Sequence, residues 1–209
     1  MRWYLRFGLS YRDLEELLAE RGVEVDHVTI FRWVQRFTPE LIDAGRPCRH
    51  AVGGRWFVDE TYVRVAGVWR YVDRAVDQHG QVIDVLVSTR RDGAAARRFF
   101  DRVLREHARP EQVTTDKAKA LIGAVQDVRP NAEHVTRVYA NNRVECDHGR
   151  LRARLRPMRG LQSDRTANVV IRGHAFVQNL RRGHYELGVE AFSEPLRLAA
   201  AFDELAGAI

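Results

Sequence analysis

Asp59 interrupts the run Trp56-Phe57-Val58-Asp59-Glu60-Thr61-Tyr62-Val63, whose other residues suit a buried strand. A carboxylate in such a strand is costly unless it is paired or bound to a cation. Asp116 stands where a short apolar segment ending at Thr115 gives way to a helix, and Glu145 stands near the start of a later helix. The three are 57 and 29 positions apart (116 minus 59, 145 minus 116), so only the fold can unite them. Converging carboxylates raise one another's pKa unless metal ions neutralise them. Hard oxygen ligands with open positions suit Mg²⁺, with Mn²⁺ as a substitute. Two such ions roughly 3.5 to 4 Å apart serve an in-line displacement at phosphorus with no protein nucleophile. The chemistry indicated is phosphodiester cleavage by water, or strand transfer by a DNA 3′-hydroxyl.

Each residue taken singly has a plainer reading. Asp116 directly precedes a helix and suits an N-cap. Glu145, three positions after Asn142, suits a capping box. Asp59 has no such alternative. Asp73, Asp77 and Asp84 lie on strands or turns with nothing to link them to a metal, and Cys146, Asp147 and His148 lack a second cluster at zinc spacing.

The elements that must position the three carboxylates follow from hydrophobic periodicity. Segments 55–65, 68–76 and 81–88 are rich in Val, Ile, Tyr and Trp and are separated by short turns at Ala66-Gly67 and Asp77-Gln78-His79-Gly80, which predicts an antiparallel meander. A helix opens at Asp92 or Gly93 and runs to about Ala108. Then come a strand at 111–115, a helix at 117–126 and a strand at 134–139. Long helices at 142–156 and 163–182 follow, separated by Pro157 and Gly160. This order predicts a mixed α/β, ribonuclease-H-like domain: a three-stranded antiparallel meander extended by parallel strands, with flanking helices. In that layout the first and fourth strands are neighbours, so Asp59 and Asp116 meet and Glu145 enters from the adjacent helix.

Ahead of it, Tyr11, Leu14, Leu17 and Leu18 share one face of a short helix for which Ser10 and Asp13 provide an N-terminal cap. Gly22 ends that helix. Asp26 caps a second helix running to Phe37, with Ile30, Trp33, Val34 and Phe37 inward and Thr29, Arg32 and Arg36 outward, where they reach base edges and phosphates. This small all-α head has the form of a helix-turn-helix. The domain organisation expected is a head at 1–38, a Pro- and Gly-rich linker at 39–54, the catalytic domain at 55–188 and a helical tail at 189–209.

The net charge of +6 is local: between Arg143 and His184 ten Arg face only Glu145, Asp147 and Asp164. Arg150, Arg152, Arg154, Arg156 and Arg159 fit sequence-independent contacts to phosphate. Cys48 and Cys146 are far apart, which predicts neither a disulfide framework nor a zinc ribbon. No apolar run approaches the roughly 18 residues of a membrane span, and there is no secretory signal. The expectation is a cytoplasmic protein without a membrane partner, nucleoid-associated when bound to DNA.

The segments Val58-Asp59-Glu60-Thr61-Tyr62, Thr115-Asp116-Lys117-Ala118 and Asn141-Asn142-Arg143-Val144-Glu145-Cys146-Asp147-His148-Gly149 resemble the three signature blocks of the IS-six family of DDE transposases. Ser10-Tyr11-Arg12-Asp13-Leu14, Leu18-Ala19-Glu20-Arg21-Gly22 and His27-Val28-Thr29-Ile30-Phe31-Arg32-Trp33-Val34 resemble that family's helix-turn-helix. The resemblance implies metal-binding and catalytic roles for Asp59, Asp116 and Glu145, and DNA or phosphate contacts for Lys117, Asn142, Arg143 and His148. It further implies Mg²⁺-dependent cleavage and strand transfer at terminal inverted repeats by a homo-oligomer on double-stranded DNA. Three departures accompany it. The chain opens at Arg2-Trp3-Tyr4, where the family's first helix is already under way, which implies missing upstream residues. The Asp116-to-Glu145 interval is short for the family, and Leu121 stands where an aromatic residue is common. The alternative expectation is a shortened or decayed relative that binds DNA without catalysis.

Overall fold

The structure is a computed structural model. It describes the chain apart from residues 117, 129–130, 137–140, 157 and 159 and the side chains of 119, 143, 194 and 195. Lys117 and the side chain of Arg143, both expected to contact DNA, lie outside the described residues, as do Arg159 and the end of the strand expected to reach Tyr139.

In chain order the elements are helices α1 (Arg2–Arg6), α2 (Tyr11–Ala19) and α3 (His27–Gly45), then strands β1 (Arg55–Val65), β2 (Val68–Asp77) and β3 (Val82–Ser88). There follow α4 (Gly93–Glu106), β4 (Gln112–Thr115), α5 (Lys119–Val128), β5 (Glu133–Val135), α6 (Asn142–Leu155), α7 (Asp164–Arg181) and α8 (Glu194–Ala206). No described helix is long and apolar enough to cross a membrane.

The chain divides into two compact units, one formed by Ala51–Arg150 and the other by Met1–His50 together with Leu151–Ile209. The first holds a five-stranded sheet in the order β3-β2-β1-β4-β5. The pairs β1–β2 and β2–β3 are antiparallel; β1–β4 and β4–β5 are parallel. This is the expected ribonuclease-H-like layout, a meander extended by parallel strands. The β1–β2 turn is built on two residues with positive φ, Ala66 at 48° and Gly67 at 78°, the type of two-residue turn that matches the twist of a hairpin. On one sheet face Phe99, Phe100 and Val103 of α4 and Leu121, Ala124 and Val125 of α5 pack with Trp56, Val58, Ala75 and Val113. Fully burying a side chain of this kind stabilises the fold by about 1.5–3 kcal/mol. Asp92 caps α4 by accepting the Ala95 N–H at 2.8 Å.

In the helical unit α2 opens with a reciprocal cap between Ser10 and Asp13 and α3 opens on Asp26, both as the sequence predicts. Gly22 turns the chain between them with φ of 73°. Three features depart from expectation. First, α3 does not stop near Phe37 but runs through Pro39 to Gly45, followed by a 3₁₀ turn at Arg46–Cys48, so much of the expected linker is helix. Pro39 costs a helix interior roughly 3 kcal/mol, and burial of Thr38, Leu41 and Gly45 along the same turns offsets it. Second, Trp33 is not inward; it is 40% exposed, beside Arg32 and Arg36 on the outer face. Third, α7, expected within the catalytic domain, packs with α1, α3 and α8. A Cβ on Gly173 would lie 2.7 Å from the Thr38 side chain and 2.8 Å from that of Leu5, so the small residue permits the close approach. With eleven buried residues, α7 is the central helix of this unit.

Candidate active site

Asp59 lies on β1, in the middle of the sheet, and its strand neighbour across β2 is Arg74. On the other side β1 and β4 run parallel, and their last paired residues are Val58 and Thr115. Asp59 on β1 and Asp116, the first residue beyond β4, are therefore the next positions after the paired stretch, where adjacent strands lie about 4.8 Å apart. Side-chain oxygen Oδ1 of Asp116 accepts the Ala118 N–H at 2.9 Å, a local turn leading into α5. The residue is exposed.

Helix α6 is tied to the same strand. The Asn141 side-chain amide donates to the Val58 carbonyl at 3.0 Å. Because the helix begins at Asn142, that residue is the first helical position and not the cap of a box closed by Glu145. About two turns further, Nδ1 of His148 lies 3.5 Å from Oδ2 of Asp59. His148 is buried, and among the described residues its Nε2 has no hydrogen-bond partner. The expected surface contact to phosphate is thus an inward neighbour of Asp59, because α6 turns this side chain toward the sheet. Beside it Asp147 forms an ion pair with Arg74, both almost fully buried, and Arg150 lies 3.7 Å from the other Asp147 oxygen. Glu145 precedes His148 by three positions, on an adjacent part of the helix surface, and is exposed. Asn142 is exposed on the same first turn.

The next residue on β1, Glu60, points to the other sheet face and pairs across the strands with Asp73. Arg91 Nε lies 2.8 Å from its Oε1. Burial pushes the Glu60 carboxyl up; Arg91 opposes this, and the charges of Asp59 and Asp116 add to the rise. Asp73, 2% exposed, is pushed up to about 7, chiefly by burial and then by Glu60.

Asp59 and Asp116 are thus brought to one end of two paired strands, and their joint charge is felt at Glu60. Carboxylate oxygens of this kind suit a hard divalent cation. Among the described residues, however, no group of three or more His, Cys, Asp or Glu is positioned to hold one metal ion. Glu145 lies exposed on the first turn of α6, the helix whose His148 approaches Asp59, and does not complete such a cluster.

Of the remaining residues expected to meet DNA, Arg32 and Arg36 are exposed on α3 and Thr29 is half-buried, its hydroxyl 3.3 Å from Asp26 Oδ2. Arg36 lies 3.6 Å from Glu40. Arg152 and Arg156 are exposed, whereas Arg154 is buried with its guanidinium 4.4 Å from the centre of the Tyr4 ring, so it is not part of a solvated basic face. Sequence reasoning missed the Arg74–Asp147 pair, the Asn141 clamp and the Glu60–Asp73 pair. Arg74 carried a signal: it is a charged residue within the largely apolar run Tyr71-Val72-Asp73-Arg74-Ala75-Val76.

Residues 53–184 match the DDE domain of IS240-type transposases. The transposase for insertion sequence-like element IS431mec of Staphylococcus aureus (strain Mu50) is 34% identical over 198 residues, covering 91% of this chain and 87% of that protein. The transposase for insertion sequence element IS257 in transposon Tn4003 of Staphylococcus aureus is 33% identical with the same coverage. Among solved structures, the HTLV-2 integrase catalytic core domain in complex with magnesium is similar at a TM-score of 0.47 and 16% identity, covering 65% of this chain and 97% of that one. The simian T-cell lymphotropic virus intasome in complex with a PP2A regulatory subunit gives 0.49 and 17%, covering 63% and 51%. The two sequence relationships span most of the chain and include both the head and the sheet. The chain belongs to the IS-six family of DDE transposases of bacterial insertion sequences.

Proposed function

We propose that this chain is the transposase of an insertion sequence, binding the element's terminal inverted repeats and cutting and joining DNA with Asp59, Asp116 and Glu145 as its catalytic, metal-holding carboxylates. The observation that carries the reading is the register of β1 and β4, which leaves Asp59 and Asp116 side by side at the first positions beyond the paired stretch. Glu145 on the exposed first turn of α6 supplies the third carboxylate by side-chain rotation toward the other two; like charges keep the three apart unless a cation joins them. A divalent cation, Mg²⁺ with Mn²⁺ as a substitute, supplies activation of the attacking oxygen and stabilisation of the leaving oxygen at phosphorus.

The chain's own side chains do the positioning. Asn141 fixes where α6 begins relative to β1, and His148 restrains the Asp59 carboxylate. Arg74 and Asp147 hold α6 against β2 beside Asp59. Asn142, Lys117 and Arg143 flank the carboxylates in sequence and contact the DNA backbone. Arg152 and Arg156, exposed and four positions apart, are suited to phosphates. In the head, Thr29, Arg32 and Arg36 on the outer face of α3 read the terminal repeat. The protein acts as a homo-oligomer on double-stranded DNA.

The test combines the purified chain with labelled terminal-repeat DNA, a target plasmid and Mg²⁺ or Mn²⁺. Strand-transfer product is expected, and its absence in Asp116→Asn ties it to the carboxylates. Nicking without joining identifies a hydrolytic nuclease instead, and DNA binding without either product defeats the enzymatic reading. In the head, Arg32→Ala and Arg36→Ala should each reduce the salt dependence of binding by about one ion.

A further inference from the structure

In the helical unit, the start of α8 and the segment before it leave three large apolar side chains in water. Phe192 is fully exposed, and Val189 and Leu196 are 57% and 53% exposed. Single exposed apolar residues are ordinary on a protein surface, whereas three within eight positions mark a contact. The loop that displays them is pinned at both ends. Before Phe192, Gly188 has a φ of 62°, its N–H donates to the Glu204 carboxylate at 3.0 Å, and a Cβ there would strike the Arg197 carbonyl oxygen. After Phe192, the N–H groups of Leu196 and Arg197 donate to the Ser193 carbonyl in the first turn of α8. The ring is thus held outward as a knob.

Beside the knob the same unit has a cavity of about 340 Å³, ample for a phenyl ring, walled by Arg2, Trp3 and Arg6 of α1, Arg181 of α7, and Leu196 and Leu198 of α8. Knob and cavity are opposite in charge. Three guanidiniums and, among the described residues, no carboxylate line the cavity. From Tyr185 to Leu196 the chain carries Glu186, Glu190 and Glu194 and no Lys or Arg. Glu186 is paired with His50, and Glu190, two positions before Phe192, is exposed. Leu196 belongs to both the cavity wall and the apolar group around Phe192, so the two features lie side by side on one surface. Adjacent features that fit each other are exchanged when two copies meet across a two-fold axis, and such an assembly closes at two.

We propose that Phe192 and the cavity between α1, α7 and α8 form a two-fold contact between two copies of this chain, the Phe192 ring of each protomer entering the cavity of its partner. Trp3 and Leu196 supply the apolar walls, and Glu190 meets Arg2 and Arg6 at the rim. The contact gives a face to the homo-oligomer named above. It needs no DNA and none of the three carboxylates, so its failure leaves the transposase reading standing.

The experiment is sedimentation of the full chain without DNA across a range of protein concentration, which reads mass and self-association together. The wild type should associate in pairs. Phe192→Ser removes both aromatic anchors of a pair and should weaken association at least roughly thirtyfold, with an unchanged thermal midpoint because the side chain is fully exposed in a single copy. Arg6→Glu and Glu190→Arg should each weaken it about tenfold by placing like charges together, and the two combined should restore it. A wild-type chain that stays monomeric, or a Phe192→Ser variant that associates as the wild type does, overturns the proposal. Failure of the combined variant to recover overturns the seating of the knob in this cavity. Arg6→Glu protein of unchanged mass that has lost affinity for a DNA duplex assigns the cavity to phosphate and likewise overturns it.

Discussion

Asp59 and Glu60 are consecutive carboxylates on one strand, and they lead different lives. The pleat sends them to opposite faces of the sheet. Asp59 faces α6, with His148 at 3.5 Å, and stands level with Asp116 at the open end of β4. Glu60 is paired with Arg91 and lies across from Asp73, a buried acid that burial pushes up to about 7. Chemical type alone therefore does not set the two carboxylates apart. The side that ends beside a second strand terminus and a helix start is open to a ligand; the other is closed by a guanidinium and a buried acid whose burial favours the neutral form.

The contrast can be broken experimentally in four ways. Asp59→Asn keeps shape and removes charge, and should lower strand transfer by about a thousandfold or more, an effect of about 4 kcal/mol on the barrier, with a thermal midpoint near that of the wild type. If the variant remains active, the catalytic face has been misassigned. Arg74→Ala removes one partner of the buried pair that holds α6 over Asp59 and takes from the buried Asp147 carboxylate its closer guanidinium, so denaturant unfolding should show a loss of about 3–5 kcal/mol. A loss near zero would mean that α6 is held by other contacts.

Asp73→Asn sharpens the other side. Below its ordinary value of 3.8 the Asp73 carboxyl is protonated in both folded and unfolded chains; between 3.8 and about 7 only the folded chain keeps the proton. Folded wild-type protein therefore loses stability as pH rises across that window, with Glu60 and Asp59 deepening the loss and Arg98 and Arg102 opposing it. Asp73→Asn should be the more stable protein at pH 8, by on the order of a few kcal/mol, and the two should converge near pH 4. Parallel pH curves would remove Asp73 as the source. The smallest effect is expected of Glu60→Gln, the isostere of the non-catalytic neighbour. Its pair with Arg91 is open to solvent on the arginine side, so stability should change by less than about 1 kcal/mol, and strand transfer should stay within roughly tenfold.

Much of this contrast was legible in the chain itself. Runs of β-branched and aromatic residues located β1, β2 and β3 to within a residue, and Ser10, Asp26 and Asp92 marked three helix starts because a side-chain oxygen before an apolar-periodic stretch has one common use. Asp59 was conspicuous because its neighbours are apolar. Tertiary packing was not legible. The passage of α3 through Pro39 depends on what Leu41 and Gly45 meet, and Gly45 lies against Phe176, far along the chain. The same limit hid the packing of α7 with α1, α3 and α8 and turned Trp33 inward. At the site, Arg74 and Asp147 read as two unrelated charges until β2 and α6 are brought together.

The helical unit is made of two stretches of chain, with the whole of the sheet unit threaded between them. Its core forms only when α7 meets α1 and α3, and α7 starts more than a hundred residues after α3 ends. On a ribosome adding roughly 5–20 residues per second, the opening helices spend several seconds or more without their central partner while the sheet is completed. The intervening unit is therefore synthesised in full before the head can close, and any nascent chain stopped before residue 164 carries a finished sheet and a helical unit without its central helix.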